Sequence, residues 1–233
     1  MMVLEYAEND NLRKYLKNEF LNLTWMKKLN FLDDIVNNLR IIYSKEYVHK
    51  DLHSGNILQF NTGEIKTKIT DLGLAQLINN SKSSNCSSVC GVLPYITPEV
   101  LDGKPYTFAS DIYSFGIIMV EVSTGKPPYG SVPHDEKLAL AICNGLRPRV
   151  AKETPQCYID VVIQCLDANP EKRPSVIDLY YIFRSWLVYD ENSNLTIHVK
   201  LKKLYLRYFL KLSFSAYSKT IISSSVCGSF VIP

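Results

Sequence analysis

The sequence predicts an α+β fold that is mainly α-helical and contains one short β-ribbon. Apolar residues between positions 25 and 43 recur in steps of three and four, and Thr24 stands before them as an N-cap, which predicts a long amphipathic helix. The segment 110–123 is almost wholly apolar, and a helix that is apolar on every side belongs at the centre of a domain. A mostly apolar segment at 57–60 and a segment at 65–70 with Ile65, Thr67 and Ile69 on one face predict the two strands of the ribbon.

The composition is that of an ordinary globular protein and argues against several classes of function. The chain has 233 residues, 46% apolar and 21% charged, which suits one large domain or one domain with a tail. Its net charge of +3 is too small to indicate binding to nucleic acid or to a membrane. No apolar run is long enough to predict a transmembrane segment, and residues 1–8 lack the basic start of a signal peptide. The six cysteines form no Cys-x-x-Cys pair, so reduced thiols and a cytoplasmic or nuclear location are expected.

The other predicted elements follow in chain order. An apolar run at 2–7 predicts a strand, and the spacing of apolar residues at 12–16 predicts a surface helix after a polar turn. Further helical segments are predicted at 136–143, at 158–166 and from 175 to about 187. Helices therefore outnumber strands along the chain.

A polar loop at 47–58 joins two short apolar segments, which predicts the order strand, loop, strand. Inside the loop Asp51 precedes Asn56 by five positions. This spacing can aim a carboxylate at a hydroxyl group and an amide oxygen at a metal ion within one cleft. The alternative interpretation is a plain polar turn between two strands.

Further motifs follow the loop. The motif Asp-Leu-Gly at 71–73 ends the ribbon, and the segment 79–88 is rich in serine and asparagine without periodicity. The motif Gly-Val-Leu-Pro-Tyr-Ile-Thr-Pro-Glu occupies 91–99. Asp111 lies at the start of the apolar segment, where an unpaired carboxylate is costly to bury, and Arg173 lies within Asn-Pro-Glu-Lys-Arg-Pro-Ser. Taken singly, each feature has an ordinary explanation as a turn, an exposed loop or a surface arginine.

Together, and in this order, the motifs resemble the hinge and C-terminal lobe of a eukaryotic protein kinase. The polar loop resembles the catalytic loop, with Lys50 in place of arginine, and the later motif resembles Asp-Phe-Gly, with Leu72 in place of phenylalanine. The match covers residues 1–187, and the tyrosine-kinase-like group of serine/threonine kinases is the most similar. The resemblance implies a kinase-like C-terminal lobe with a short β-ribbon around the catalytic loop.

The resemblance implies catalytic and metal-binding roles for four residues of this sequence. Asp51 would orient the acceptor hydroxyl, and Asn56 and Asp71 would hold Mg²⁺ against the phosphates of ATP. His53 stands where serine/threonine kinases usually carry a lysine that contacts the γ-phosphate. A neutral imidazole donates a hydrogen bond there but supplies less charge.

The resemblance also implies an ATP-binding set around the hinge. Leu4 would be the gatekeeper, and Glu5 and Ala7 would supply a backbone carbonyl and amide to adenine. Leu58, which follows the catalytic loop, and Asp71 complete the residues expected to contact the nucleotide.

Structural roles are implied for five more residues. His49 would brace the metal-binding turn, and Asp111 would accept hydrogen bonds from the backbone of the catalytic loop. Glu99 would form a buried ion pair with Arg173. Lys50 offers only a point charge where arginine grips a phosphorylated activation loop with two parallel hydrogen bonds.

The phosphate-clamping parts of a kinase have no counterpart in these residues. Nothing reads Gly-x-Gly-x-x-Gly, and no Val-Ala-x-Lys strand precedes the hinge. We therefore interpret 1–187 as a kinase domain whose N-terminal lobe is missing, by truncation or an incomplete gene model. One hypothesis is an enzyme that transfers the γ-phosphoryl group of ATP to serine or threonine. The other is a catalytically silent kinase lobe that binds partner proteins. The expected partners are ATP and a protein substrate or signalling partner, and not nucleic acid.

The segment 188–233 has no counterpart in the kinase resemblance. Within it, 200–212 carries apolar residues on one helical face and lysine and arginine on the other. A helix is predicted there, and three surfaces remain open for it: a membrane, an acidic partner or the domain itself. An isolated helix of this length is marginal in water, so we expect Leu204, Tyr208 and Phe209 to be partly buried against the domain.

Overall fold

The computed structural model describes residues 6–61, 65–78 and 89–187. Within these residues the α-helices are α1 (Leu12–Glu19), α2 (Trp25–Ser44), α3 (Pro98–Leu101), α4 (Phe108–Thr124), α5 (Glu136–Cys143), α6 (Gln156–Cys165) and α7 (Val176–Leu187). The β-strands are β1 (Tyr47–Val48), β2 (Ile57–Asn61), β3 (Ile65–Ile69) and β4 (Gln76–Leu77). The mainly α-helical fold with a short ribbon is confirmed.

The long amphipathic helix forms where the sequence predicts it. Helix α2 begins at Trp25 and ends at Ser44, and the side chain of Thr24 caps it by accepting a hydrogen bond from the backbone N–H of Lys27 at 3.3 Å. Its apolar face is buried against α7 and the ribbon. The helix ends shortly before β1, so it delivers the chain to the polar loop.

Helix α4 forms the centre of the domain. Every residue from 110 to 123 is buried. Helix α6 packs closely at Gly116, where an added Cβ would come within 2.7 Å of the Cβ of Cys165. Helix α7 packs through an edge-to-face contact between the rings of Phe115 and Phe183, whose centroids are 5.8 Å apart. The continuous apolar run is thus explained by neighbours on several sides.

The ribbon brings two distant motifs together. Strands β2 and β3 pair in antiparallel register with Ile57 opposite Ile69. The residue before β2 and the residue after β3 therefore meet at one end of the ribbon, where the N–H of Thr70 donates to the carbonyl of Asn56 at 2.9 Å. As a result, the polar loop and the Asp71 motif lie side by side.

Helix α2 anchors the ribbon through polar contacts. The backbone N–H of Thr67 donates to Asp34 Oδ2 at 2.9 Å, and its hydroxyl donates to Gln59 Oε1 at 3.1 Å. Asn38 Nδ2 donates to the carbonyl of Thr67 at 3.3 Å. These bonds hold the buried Thr67 on the helix side of the ribbon, which sets the position of both ends of the strands.

A second pair of strands is visible only in the structure. Strand β1 pairs antiparallel with β4, with Val48 opposite Gln76. Two residues are too few to show an alternating pattern, so β4 was not predictable from the sequence. The pairing fixes the entrance of the polar loop against the chain that leaves the Asp71 motif.

Several predicted features lie outside the described residues. They are the first part of the strand at 2–7, the serine-rich segment 79–88 and the whole of 188–233 with its predicted helix. Tyr6 and Ala7, which are described, form no strand. In the described part of the N-terminal chain, a β-bridge between Asn11 and Leu58 forms the contact with the ribbon. Among the helices of the described residues, none combines the length and the apolar character that a membrane-spanning segment needs.

Gly125 at the end of α4 gives a first testable prediction. It has φ +68°, and an added Cβ would lie 2.4 Å from Cγ of Phe20. Gly125→Ala combines left-handed strain of about 1–2 kcal/mol with overpacking of about 1–3 kcal/mol. We therefore expect a free energy of unfolding lower by at least 2 kcal/mol, roughly the sum of the lower bounds, measured by urea denaturation.

The matched control is Gly103→Ala. Gly103 also has positive φ, +83°, but no atom lies within 4 Å of its added Cβ. This variant therefore shows the backbone strain alone. Equal losses in the two variants would contradict a steric role for Phe20.

Candidate active site

Asp111, at the start of α4, binds the backbone of the polar loop. Its Oδ2 accepts the backbone N–H of His49 at 2.7 Å, and its Oδ1 accepts the N–H of Lys50 at 3.0 Å. The hydroxyl of Tyr43 also donates to Oδ2, at 3.4 Å. Burial raises the pKa of Asp111 to about 6, while the two backbone hydrogen bonds act in the opposite direction. The carboxylate at the start of the apolar helix therefore has the loop backbone as its partner.

Lys50 turns the chain sharply within the loop. It has φ +70°, a left-handed conformation that non-glycine residues seldom adopt. Its Nζ donates to Gln76 Oε1 on β4 at 3.2 Å and lies 5.1 Å from the ring centroid of Tyr106. Lys50, at the position where kinases carry arginine, thus contacts a neutral amide and an aromatic ring.

His49 joins the loop to the Asp71 motif. Its Nε2 lies 3.1 Å from the carbonyl oxygen of Thr70, and its Nδ1 accepts the N–H of Asp51 at 3.3 Å. Because a carbonyl can only accept, the proton of the neutral ring is on Nε2. The fully buried ring therefore contacts the residue directly before Asp71.

Asp51 has one carboxylate oxygen held and one without a hydrogen bond. Asn56 Nδ2 donates to the carbonyl of Asp51 at 3.0 Å and to its Oδ2 at 3.2 Å. Oδ1 is buried and accepts no hydrogen bond from any described residue. Since burying an unsatisfied acceptor is costly, Oδ1 is the carboxylate oxygen that keeps an unused capacity to accept a hydrogen bond.

His53 lies beside that oxygen. Its Nδ1 accepts the N–H of Gly55 at 3.0 Å, which leaves the proton of the neutral ring on Nε2. Nε2 is 3.6 Å from Asp51 Oδ1. Burial lowers the pKa of His53, and the carboxylate of Asp51 opposes this shift. At neutral pH the ring is therefore an uncharged donor.

Asp71 and Asn56 supply oxygen atoms that suit a hard cation. Asp71 follows β3 with φ +58°, and its Oδ1 accepts the N–H of Gly73 at 3.3 Å. Asn56 uses its Nδ2 toward Asp51, so its amide oxygen is the atom to offer a cation. In the part of the chain that the structure describes, no three His, Cys, Asp or Glu side chains could hold a metal ion. One carboxylate and one amide oxygen fit Mg²⁺, which commonly takes few protein ligands and fills its other positions with water and substrate phosphates.

The expected ATP-binding set is only partly described. Leu4 and Glu5 lie outside the described residues. Ala7 and Leu58 are described, and the side chains of both are half-buried. The carbonyl of Ala7 accepts the N–H of Asp10 at 3.2 Å. Backbone bonds between 9–10 and Gln59 hold this segment against β2, so the chain after the hinge lies beside the strand that leaves the polar loop.

The predicted ion pair between Glu99 and Arg173 is present. Nη1 and Nη2 of Arg173 donate to Oε1 and Oε2 of Glu99 at 2.7 and 2.8 Å. The guanidinium also donates to the carbonyls of Ala109 and Asp167, each at 2.9 Å. The arginine side chain is completely buried, so the pair ties α3 to the segment before α7 and the start of α4.

A buried polar network that is not predicted from the sequence lies at the same loop. Tyr95 donates to Glu121 Oε2 at 2.6 Å, and its hydroxyl lies 3.3 Å from Ser54 Oγ. Arg13 of α1 donates to Ser54 Oγ at 3.2 Å. Burial raises the pKa of both Tyr95 and Glu121. The signal was present, because a glutamate within an apolar helix needs a buried partner.

Comparison with known proteins agrees with this geometry. The family model described as protein tyrosine and serine/threonine kinase matches residues 1–183. A probable serine/threonine-protein kinase of Dictyostelium discoideum is 32% identical over 180 residues, which cover 75% of this chain and 16% of the relative.

Two other relatives are similar to the same extent. The RGS domain-containing serine/threonine-protein kinase A of Dictyostelium discoideum is 30% identical over 194 residues, covering 82% of this chain and 16% of the relative. A probable leucine-rich repeat receptor-like protein kinase of Arabidopsis thaliana is 32% identical over 196 residues, covering 78% and 17%. The chain thus spans 16–17% of the length of these relatives. On the family match and the arrangement of its polar loop, the chain belongs to the protein tyrosine and serine/threonine kinase family.

Proposed function

We propose that this domain transfers the γ-phosphoryl group of ATP to serine or threonine hydroxyls of proteins. The single observation that carries the proposal is the buried Asp51 Oδ1, which accepts no hydrogen bond from the described residues. Two of the three relatives support serine/threonine as the acceptor class, since both are named as serine/threonine-protein kinases.

The roles follow from the positions of the side chains. Asp51 Oδ1 accepts a hydrogen bond from the acceptor hydroxyl and so orients its oxygen, while Asn56 fixes the other carboxylate oxygen. His53 presents an uncharged N–H beside Asp51 and donates it to a phosphate oxygen. Asp71 and Asn56 hold Mg²⁺ through oxygen atoms. When bound, Mg²⁺ neutralises the charge that develops on the phosphoryl oxygens.

We expect the 233 residues alone to bind Mg-ATP weakly and to transfer phosphate at or near background. The glycine-rich loop and the lysine strand, which cover and clamp the phosphates of ATP in kinases, do not occur in them. Transfer from radiolabelled ATP to a generic protein substrate measures the activity. Strong transfer by this chain that Asp51→Asn abolishes would contradict the expectation.

Metal binding is tested separately by equilibrium dialysis of labelled ATP with and without Mg²⁺. Binding is expected to need Mg²⁺ and to be lost in Asp71→Asn. Asp102→Asn, a change at an exposed aspartate outside the loop, is the matched control. If the affinity for ATP changed neither on removal of Mg²⁺ nor in Asp71→Asn, that result would contradict the metal-site assignment.

The enzymatic proposal itself is tested on a longer product. A transcript that adds an in-frame glycine-rich loop and lysine strand upstream would supply the phosphate clamp. That product is expected to phosphorylate serine or threonine and to lose about 10²-fold or more of its rate in Asp51→Asn. A rate unchanged by Asp51→Asn would rule out the proposed role.

The second candidate function is a silent kinase lobe that binds partner proteins. It is favoured by apolar side chains that are exposed beside the Asp71 motif, since Leu72 is 56% and Leu74 is 41% exposed. A longer product that binds its partners and shows no activity sensitive to Asp51→Asn would support this candidate over the enzyme.

A further inference from the structure

An open groove lies between α6 and the loop that precedes it, away from the catalytic loop in sequence. We call it the α6 groove and define it by residues 147–152, by one side of α6 and by residues 166–168. Its volume is about 570 Å³, within the usual range of about 300–1,000 Å³ for ligand sites. None of its lining residues belongs to the proposed phosphotransfer machinery.

The floor of the groove is apolar. Ile159, Val162 and Ile163 stand at helical spacing on one side of α6, and Val150 faces them from the loop. Ile163 is 62% exposed, so its side chain contributes little to the core of the domain. Ile159 and Val150 are half-buried and Val162 is buried, so the floor is one exposed isoleucine beside apolar side chains that also pack against the core. An apolar concave surface of this kind can receive apolar side chains of another molecule.

The rim of the groove carries more positive than negative charge, because it holds Arg147, Arg149 and Lys152 and one acidic residue, Asp167. Arg149 and Lys152 are exposed, and neither has a carboxylate partner among the described residues. Arg147 differs, because carbonyl oxygens of Ile142 and Leu166 hold its guanidinium at 2.8 and 2.9 Å. The guanidinium of Arg147 is therefore held in place by the protein, whereas the charged groups of Arg149 and Lys152 are available to a partner.

We propose that the α6 groove binds an amphipathic acidic peptide of a partner protein. Its apolar side chains would recur in steps of three or four and occupy the floor, and its glutamates or aspartates would meet the rim. A membrane fits less well, because the apolar surface is concave rather than projecting. The segment 200–212 of this chain also fits less well, since its lysines and arginines would face Arg149 and Lys152. The proposal is independent of phosphotransfer.

Binding is tested by fluorescence anisotropy on the full chain with two labelled synthetic peptides. Both carry leucine in steps of three and four; the remaining charged positions are glutamate in one and lysine in the other. The glutamate peptide is expected to bind at least about tenfold more tightly, a difference of about 1.4 kcal/mol. Its affinity is also expected to fall as salt is added, because the rim charges are exposed.

Matched variants locate the peptide. Ile163→Ser is compared with Leu140→Ser, a change at a leucine of α5 that is 64% exposed. Arg149→Glu combined with Lys152→Glu is compared with Lys104→Glu, which alters an exposed lysine outside the groove. Each groove variant is expected to weaken binding about tenfold or more, which is about 1.4 kcal/mol. The two control variants are expected to bind like the unchanged chain.

Three results would overturn the proposal. One is equal or tighter binding of the lysine peptide, which would point to the chain's own basic segment as the occupant. Another is loss of binding in the control variants to the same extent as in the groove variants. The third is binding of the full chain to phosphatidylserine vesicles through Arg149 and Lys152 without any binding of the glutamate peptide. That result would assign the rim to a membrane surface.

Discussion

Replacing Arg173 by alanine is expected to remove roughly 3–5 kcal/mol from the free energy of unfolding. The arginine side chain is fully buried and forms two hydrogen bonds with Glu99, at 2.7 and 2.8 Å. Its loss leaves the Glu99 carboxylate buried without its cation, which costs about 3–5 kcal/mol in comparable pairs. In a domain of this size 1 kcal/mol shifts the melting temperature by about 2–4 °C. The midpoint should therefore fall by about 6 °C or more, as measured by circular dichroism.

Two comparisons separate charge from geometry at this site. Arg173→Lys keeps the positive charge but cannot form the two parallel hydrogen bonds. Its melting temperature should therefore lie between that of the unchanged chain and that of Arg173→Ala. Lys14→Ala breaks an exposed ion pair with Asp10 and is expected to leave the melting curve unchanged. An unaltered midpoint for Arg173→Ala would contradict a stabilising role for the buried pair.

Replacing Asp111 by alanine is expected to release the polar loop. The backbone N–H groups of His49 and Lys50 would lose their acceptors, at about 1–3 kcal/mol for each buried donor left unsatisfied. We therefore expect roughly 2–6 kcal/mol less stability, measured by urea denaturation. The amides of His49 and Lys50 should also exchange with solvent much faster in NMR hydrogen-exchange experiments, because Asp111 accepts both of them.

The control for this prediction is Asp102→Ala, a change at an exposed aspartate, which is expected to leave both measurements unchanged. Asp111→Asn offers an intermediate case, since its amide oxygen can still accept one of the two N–H groups. Slow exchange of both loop amides in Asp111→Ala would show that other contacts, such as the strand pair β1–β4, hold the loop.

The sequence alone determined the elements that depend on local spacing. Helix α2 follows its apolar steps of three and four from the Thr24 cap, and α5 spans the predicted segment 136–143. Helix hydrogen bonds join residues four positions apart, so the pattern of neighbours is enough to place such elements. The same holds for the catalytic motif, in which Asp51 and Asn56 are close along the chain. The hydrogen bond between them is local as well.

Only the tertiary structure decided the long-range partners. The hydrogen-bond partner of Glu121 is Tyr95, from a different part of the chain. The Tyr95 hydroxyl also contacts Ser54, which accepts a hydrogen bond from Arg13. The short strand β4 exists only because β1 lies beside it. The α6 groove likewise depends on how one loop packs against one helix. These contacts join residues distant in sequence, and which buried polar groups meet is settled by the packing of the whole domain, since each must find a partner there.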